Sequence, residues 1–366
     1  MNGTLEASTA VVYSCCMSLL IAVVLLVLCF YLLAVLTEEF FVPAIDKLAK
    51  RLHLSSDASG ATFLAMGSSA PEFFTSFFAV VGIGGAGHAD IGAGTIVGSA
   101  IFNILVIVGA TAMFKAVKLQ WKPVIRDQVF YILTILLLLA VFWDGRIVLY
   151  EAMGFVMTYC LYVFVVINWR KWFHYEEVEI PDETPGPARN RLHAATHKLL
   201  GLVIPDPKKY PKRYPISFAC SVLAIAGLSW ILVREVTVVA DVMHINPTFL
   251  ALTVLAAGTS IPDLIGSVVV AKQGRGDMAV SNAVGSNIFD ILFGLGLPWI
   301  IALIIRPGSI VVGTENLSAS ILLLFATVVA ILFLLIIRNW RIGHRSGLLL
   351  IALYAAYCIY IAATVA

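Results

Sequence analysis

Three carboxylates lie in stretches that are otherwise hydrocarbon. Glu72 sits in "GSSAPEFF", Asp263 in "GTSIPDLIGS" and Asp290 in "GSNIFDI". An ionised side chain at a bilayer midplane costs ~2.5–3.5 kcal/mol even on lenient insertion scales, so it needs a partner or a purpose. The polar residues around the three all bring oxygen. Ser68, Ser69, Thr95, Thr259 and Ser260 supply hydroxyls, and Asn103 and Asn287 supply amide oxygens. Pro71 and Pro262 each remove a backbone donor, which frees carbonyl oxygens a turn upstream to act as ligands. No His or Cys belongs to these motifs. That argues against zinc, copper or iron and for a hard cation such as calcium, which takes six to eight oxygens at about 2.3–2.6 Å. Three negative charges can neutralise a divalent ion plus a monovalent one, or several monovalent ions. That equivalence is the condition for competition and hence for exchange.

The motifs come in two copies. "GSSAPEFFTS" matches "GTSIPDLIGS" at a constant offset of 191, pairing Glu72 with Asp263. "DIGAGTIVGSAIFNI" matches "DMAVSNAVGSNIFDI" at an offset of 187, pairing Asn103 with Asp290 and Ala100 with Asn287. A duplication of this kind needs elements that hold the copies face to face. With 60% hydrophobic and 13% charged residues the chain is no ordinary soluble domain. Apolar runs of about 20 residues, long enough to cross a bilayer, fall near 11–34, 61–83, 91–113, 127–144, 148–168, 216–240, 247–271, 278–305, 319–337 and 347–366. The expected fold is an all-α polytopic membrane protein of ten transmembrane helices. Residues 1–168 form a first five-helix half with its repeat at about 61–113, and 216–366 form a second half with its repeat at about 247–305. The polar segment 169–215 joins them. Because five is odd, the copies enter the membrane from opposite faces. Inverted repeats with Gly- and Pro-interrupted helices place ion sites at the midplane of many secondary transporters.

Lys and Arg concentrate in cytoplasmic loops. With both termini outside and the central segment cytosolic, all of the 24 basic residues except Arg146, Arg234 and Arg306 fall inside. The sequons at Asn2 and Asn316 then lie outside, as glycosylation requires. Either the plasma membrane or a secretory or vesicular membrane suits this topology. The six cysteines lack metal or disulfide spacing. Asp57, Asp90, Asn246 and Asp277 are expected to cap helices, and Glu151 to make a packing hydrogen bond near the start of helix 5. Glu38 and Glu39 close helix 1 near the cytosol, as entrance residues or membrane-edge acids.

The four motifs "AMGSSAPEFFTS", "GTIVGSAIFNI", "AAGTSIPDLIGS" and "DMAVSNAVGSNIFDI", in this order, resemble the two alpha repeats of the cation/calcium exchanger superfamily. The match is to its potassium-dependent sodium/calcium exchanger branch, which "TEEFFVPAIDKL" and "WKPVIRDQVFYI" also resemble. The resemblance implies an antiporter, not an enzyme, with no cofactor. Sodium would move inward against calcium and potassium by alternating access, with Glu72 and Asp263 as central ligands. It further implies potassium co-transport, because that branch carries aspartate at the position of Asp290 where potassium-independent relatives carry a neutral residue. In the first copy this position is Asn103, and Ala100 stands where the second has Asn287. The chain departs from the branch in its short N-terminus and in the roughly 45 residues between halves. The expected partners are these ions and the lipid bilayer, with no nucleic acid. A monomer is expected, since one chain holds both halves of a site. The nearest rivals are a proton-coupled or a potassium-independent exchanger. An intramembrane aspartyl protease, suggested by "GRGD" at 274–277, is disfavoured because proteolysis has no use for inverted repeats.

Overall fold

The computed structural model describes residues 2–44, 47, 61–62, 65–82, 89–114, 117–173, 191–272 and 276–364. The chain is nearly all helical. Helices α1 (Asn2–Leu36), α2 (Ala65–Ser68), α3 (Ala70–Phe77), α4 (Ala89–Phe102), α5 (Val108–Phe114), α6 (Trp121–Val141) and α7 (Leu149–Trp172) make up the first half. A short α8 (Arg191–Leu200) precedes the second, built of α9 (Tyr214–Met243), α10 (Pro247–Leu250), α11 (Ala256–Thr259), α12 (Ile261–Lys272), α13 (Gly276–Phe289), α14 (Gly296–Ile305), α15 (Thr314–Ile337) and α16 (His344–Thr364). Among the described residues nine helical stretches are long and apolar enough to cross a membrane, and Ala70–Val81 is a shorter apolar helix. The span expected at 61–83 is the short one, interrupted at Ser69, with 63–64 outside the described residues.

The interruptions follow from the prolines. Pro71 and Pro262 have no N–H for the carbonyls of Gly67 and Gly258 four residues earlier. The chain turns at Ser69 (φ −86°, ψ 7°) and Ser260 (φ −83°, ψ 2°) before helix resumes. The copies share a second irregularity. Wider π turns begin at Asn103 (Asn103–Ile107) and at its match Asp290 (Asp290–Leu295). Such bulges splay the backbone and are frequent at functional sites.

Packing between the copies is reciprocal. A Cβ on Gly98 would lie 2.4 Å from the carbonyl oxygen of Leu252, and one on Gly285 would lie 2.9 Å from that of Ala61. Leu252 and Ala61 are themselves matched at the offset of 191, so each copy sets a glycine of its second helix against the same carbonyl of the other's first. The bare glycines let the backbones meet, as expected for membrane helix contacts.

Two apolar cores result. One is formed by α1, α9 and residues of the broken helices, including Leu33, Leu36, Phe40, Ile225, Leu232, Val236 and Leu255. The larger runs through α4–α7 and α13–α16. Two strand pairs stitch loops of one half to loops of the other. In one, β1 (Val117–Lys118) lies antiparallel to β4 (Arg341–Ile342); in the other, β2 (Arg146–Ile147) lies antiparallel to β3 (Ile310–Val311).

Some polar residues do other than the sequence suggests. Asp90, expected to cap a helix, lies inside the first turn of α4, and its Oδ1 accepts from the Gly313 N–H at 2.7 Å. Asn246 caps α10 as expected, accepting from Thr248 N–H at 2.9 Å, and Glu151 bonds back to Val148 N–H at 3.0 Å. Asp57 and the side chain of Asp277 lie outside the described residues. Arg126, counted among the cytosolic-side cations, is 2% exposed. Its Nε meets Asp127 Oδ1 at 2.8 Å, and Tyr162 and Ser281 also donate to Asp127, tying α6, α7 and α13 together. Among the described residues, the polar central segment contains helix α8 and a single 3-10 turn at Pro211–Arg213, neither of which the sequence pattern announces. Helix α8 lies against α1 through Tyr31 and Thr196 (3.3 Å) and a stack of His197 on Phe40. Glu39, at the end of α1, is 3% exposed and accepts from Lys208 Nζ at 3.0 Å.

Candidate ion-binding site

The turns at Ser69 and Ser260 place Glu72 and Asp263 in the first turn of α3 and of α12. There the unbonded N–H groups and the positive end of the helix dipole favour a negative charge. Both carboxylates are fully buried, as is Asp290. Ser260 Oγ donates to Glu72 Oε1 at 3.0 Å and lies 2.8 Å from Ser99 Oγ. Asp263 accepts from Asn103 Nδ2 at 3.3 Å and from Ser286 Oγ at 3.5 Å, with Ser68 beside it. Asn103 Nδ2 also donates to Asn287 Oδ1 at 2.9 Å, joining the two copies at their matched π-turn helices. The amide of Asn287 donates in turn to the Ala100 carbonyl at 3.0 Å and to the Tyr131 hydroxyl at 2.8 Å.

Asp290 is different. Neither of its oxygens closes a hydrogen bond of ordinary geometry, and the Ser69 hydroxyl that faces it closes none elsewhere. Glu72 and Asp263 are near enough for their charges to act on it. Glu72 Oε2 and Asn103 Oδ1 are further unpartnered oxygens. Among the described residues no Lys, Arg or His pairs with any of the three acids.

Nine of the ten predicted site residues therefore fall in one buried cluster spanning both copies. Thr259 lies next to Glu72 while its hydroxyl donates to Leu255 O at 2.9 Å. Thr95 stands apart: it is buried, and its hydroxyl donates to Ile91 O at 2.7 Å within its own helix. Ser99, Ser286 and Tyr131 belong to the cluster and were not among the predicted residues. The matched "GS" pairs at the 187 offset are the available signal for the two serines; Tyr131 lies outside both copies, and its signal is its place in the segment "WKPVIRDQVFYI". Among the described residues no three His, Cys, Asp or Glu side chains close into a compact metal cage. The acids are interleaved with hydroxyls and amides instead. An unpartnered buried polar atom costs roughly 1–3 kcal/mol, more when charged. A dehydrated cation would satisfy several of these oxygens at once, and no protein group does.

The model of the sodium/calcium exchanger protein family matches residues 22–168 and 213–363, leaving out the central segment. The chain belongs to that family. Among curated relatives, mouse sodium/potassium/calcium exchanger 4 is 28% identical, covering 90% of this chain and 78% of its own length. Human sodium/potassium/calcium exchanger 3 is 27% identical, covering 92% and 80%. The first of these alignments runs over 493 positions against 366 residues here, so the mouse relative carries residues with no counterpart in this family member. Among solved structures, the sodium-calcium exchanger NCX_Mj soaked with sodium and strontium superimposes with a TM-score of 0.59. It is 21% identical over 92% of this chain and 97% of its own, a likeness in fold. This exchanger-family chain is a multi-pass membrane protein.

Proposed function

We propose that the chain is a secondary active antiporter that exchanges sodium for calcium plus potassium. One observation carries this reading: three fully buried carboxylates, contributed by both copies, share a site with unpartnered oxygens and no basic side chain. Counter-charge must come from outside the protein. The potassium component is supported by Asp290 and by relatives named sodium/potassium/calcium exchangers.

Calcium sits between Glu72 and Asp263, helped by Ser68, Thr259, Ser260 and the amides of Asn103 and Asn287. Potassium sits at Asp290 with Ser69. Sodium competes for the same oxygens, and Thr95, whose hydroxyl is bonded to Ile91 O within its own helix, is left out of the site. These ions are substrates, and the transport cycle uses no cofactor and no enzymatic step. The reciprocal contacts of Gly98 and Gly285 support an inverted relation between residues 1–168 and 216–366, joined by the segment 169–215. The positive-inside pattern supports a cytosolic central segment with both termini extracytosolic. A single chain supplies both copies, which supports a monomer in lipid as the working unit. Alternating access follows if α1 and α9, which share their own apolar core, shift against the helices that hold the ions.

The test is calcium uptake into sodium-loaded proteoliposomes diluted into sodium-free medium, with and without potassium, for the wild type and Asp290→Asn. Uptake that needs both internal sodium and external potassium in the wild type, and loses only the potassium requirement in the variant, is expected. Uptake indifferent to potassium in both would leave a plain sodium/calcium exchanger. Uptake driven by pH and indifferent to sodium would replace the reading with a proton-coupled exchanger.

A further inference from the structure

The oxygens around Asp290 do not stop at the duplicated motifs. Tyr159, on α7, is 4% exposed and its hydroxyl has no hydrogen-bond partner. Its ring packs against Phe289 at 5.5 Å and Phe293 at 5.6 Å between centroids. Those two residues flank Asp290 on the same helix, one just before it and one a turn later. Tyr131, on α6, is fully buried and accepts a hydrogen bond from Asn287. Both Asn287 amide hydrogens are thus committed, one to Tyr131 and one to the Ala100 carbonyl. The Oδ1 atom is left turned toward Asn103 and, through it, Asp263. Asp290 lies near enough for its charge to act on both phenols.

A buried hydroxyl without a partner is unfavourable. A large monovalent cation needs many neutral oxygens to stand in for its hydration shell. The two facts meet at Asp290, where one carboxylate and Ser69 alone make too small a shell. We propose that Tyr159 and Tyr131, from helices outside the duplicated motifs, complete the potassium position. Tyr159 lends its hydroxyl oxygen directly. Tyr131 is a positioning residue that keeps the Asn287 oxygen facing the ions. This rests on the reading above that potassium is carried at Asp290.

The test measures calcium uptake in proteoliposomes against potassium and, separately, rubidium, for the wild type, Tyr159→Phe and Tyr131→Phe. Each substitution is also made in the Asp290→Asn background. Loss of one neutral ligand or hydrogen bond corresponds to about a 5–10-fold change. Each single variant should raise the potassium concentration for half-activation by that factor and alter the potassium-to-rubidium ranking. Half-saturation by calcium should stay within about 2-fold for Tyr159→Phe and rise together with that for potassium for Tyr131→Phe, whose Asn287 amide serves both ions, and the potassium effect should vanish when Asp290 is already Asn. A variant that lowers maximal uptake with wild-type potassium half-activation and ion ranking would show that the tyrosines only pack, and would overturn the proposal. A wild type indifferent to potassium would instead sink the assignment of Asp290, a separable failure. Tyrosine ultraviolet difference spectra of purified wild type on adding potassium read the same contact without substitution. A change that saturates with flux activation and is missing from Asp290→Asn is expected; a flat spectrum would refute the contact.

Discussion

Asp263 and Asp290 are both fully buried acids of the second half, yet their surroundings differ. Asp263 stands at a helix N-terminus and accepts hydrogen bonds from Asn103 and Ser286, with Ser68 alongside. Asp290 opens a π turn and neither of its oxygens closes a hydrogen bond of ordinary geometry. The first carboxylate is held in place before any ion arrives, as a tight divalent site needs. The second has the Ser69 hydroxyl beside it and no basic side chain among the described residues, which leaves its charge to ions. Within one cluster, a rigid position and an open position suit a small dense charge and a larger diffuse one.

Substitutions can break that contrast. Asp263→Asn or Glu72→Gln removes a charge the calcium cannot replace, and calcium uptake should fall at least ~100-fold, about 2.8 kcal/mol. Asp290→Asn should leave substantial uptake in the same assay. Equal losses at all three would mean that the positions are not distinct.

The next largest effect concerns the contact between copies. Gly98→Ala drives a methyl to 2.4 Å from a backbone oxygen that cannot swing aside, and overpacking of this kind costs about 1–3 kcal/mol. Gly285→Ala, at 2.9 Å, should cost less. Thermal unfolding in detergent should place the two variants in that order below the wild type.

Hydroxyls sharpen the contrast further. Ser260→Ala removes the donor to Glu72 and should raise calcium half-saturation by about 5-fold, whereas Ser69→Ala should raise potassium half-activation by a similar factor and leave calcium nearly unchanged. A swap of these two phenotypes would reverse the assignment of the positions. The smallest change is expected at Thr95→Val, because that hydroxyl already answers Ile91 within its own helix. A shift of less than about 2-fold in any half-saturation is expected, and a large one would bring Thr95 back among the ligands.

Much of this was legible in the sequence because chemistry and repetition coincide there. The 191 offset alone pairs Glu72 with Asp263, and the prolines beside them announce the breaks. Oxygen-only neighbours narrow the ion to a hard cation. What escaped was long-range or written in single letters. Tyr131 and Tyr159 look like ordinary aromatic residues of apolar helices until α6 and α7 pack on the second copy. The sequence shows a basic residue at 126 but not that Asp127 neutralises it in the interior. Asp90 reads as a cap, and only the fold brings Gly313 to it. The docking of α8 could not be read off, because a ten-residue amphipathic pattern inside a polar segment carries little signal until α1 supplies the surface.

β1 with β4 and β2 with β3 tie loops of the two halves by main-chain hydrogen bonds, and neither pair involves α1 or α9. The ladder itself uses only main-chain groups, so the exposed Arg146 and Arg341 can change without unfastening the frame, whereas Ile147 and Ile342 are held by the larger core. The fastening thus ties loops beside α5–α7 to loops beside α14–α16 and bypasses α1 and α9.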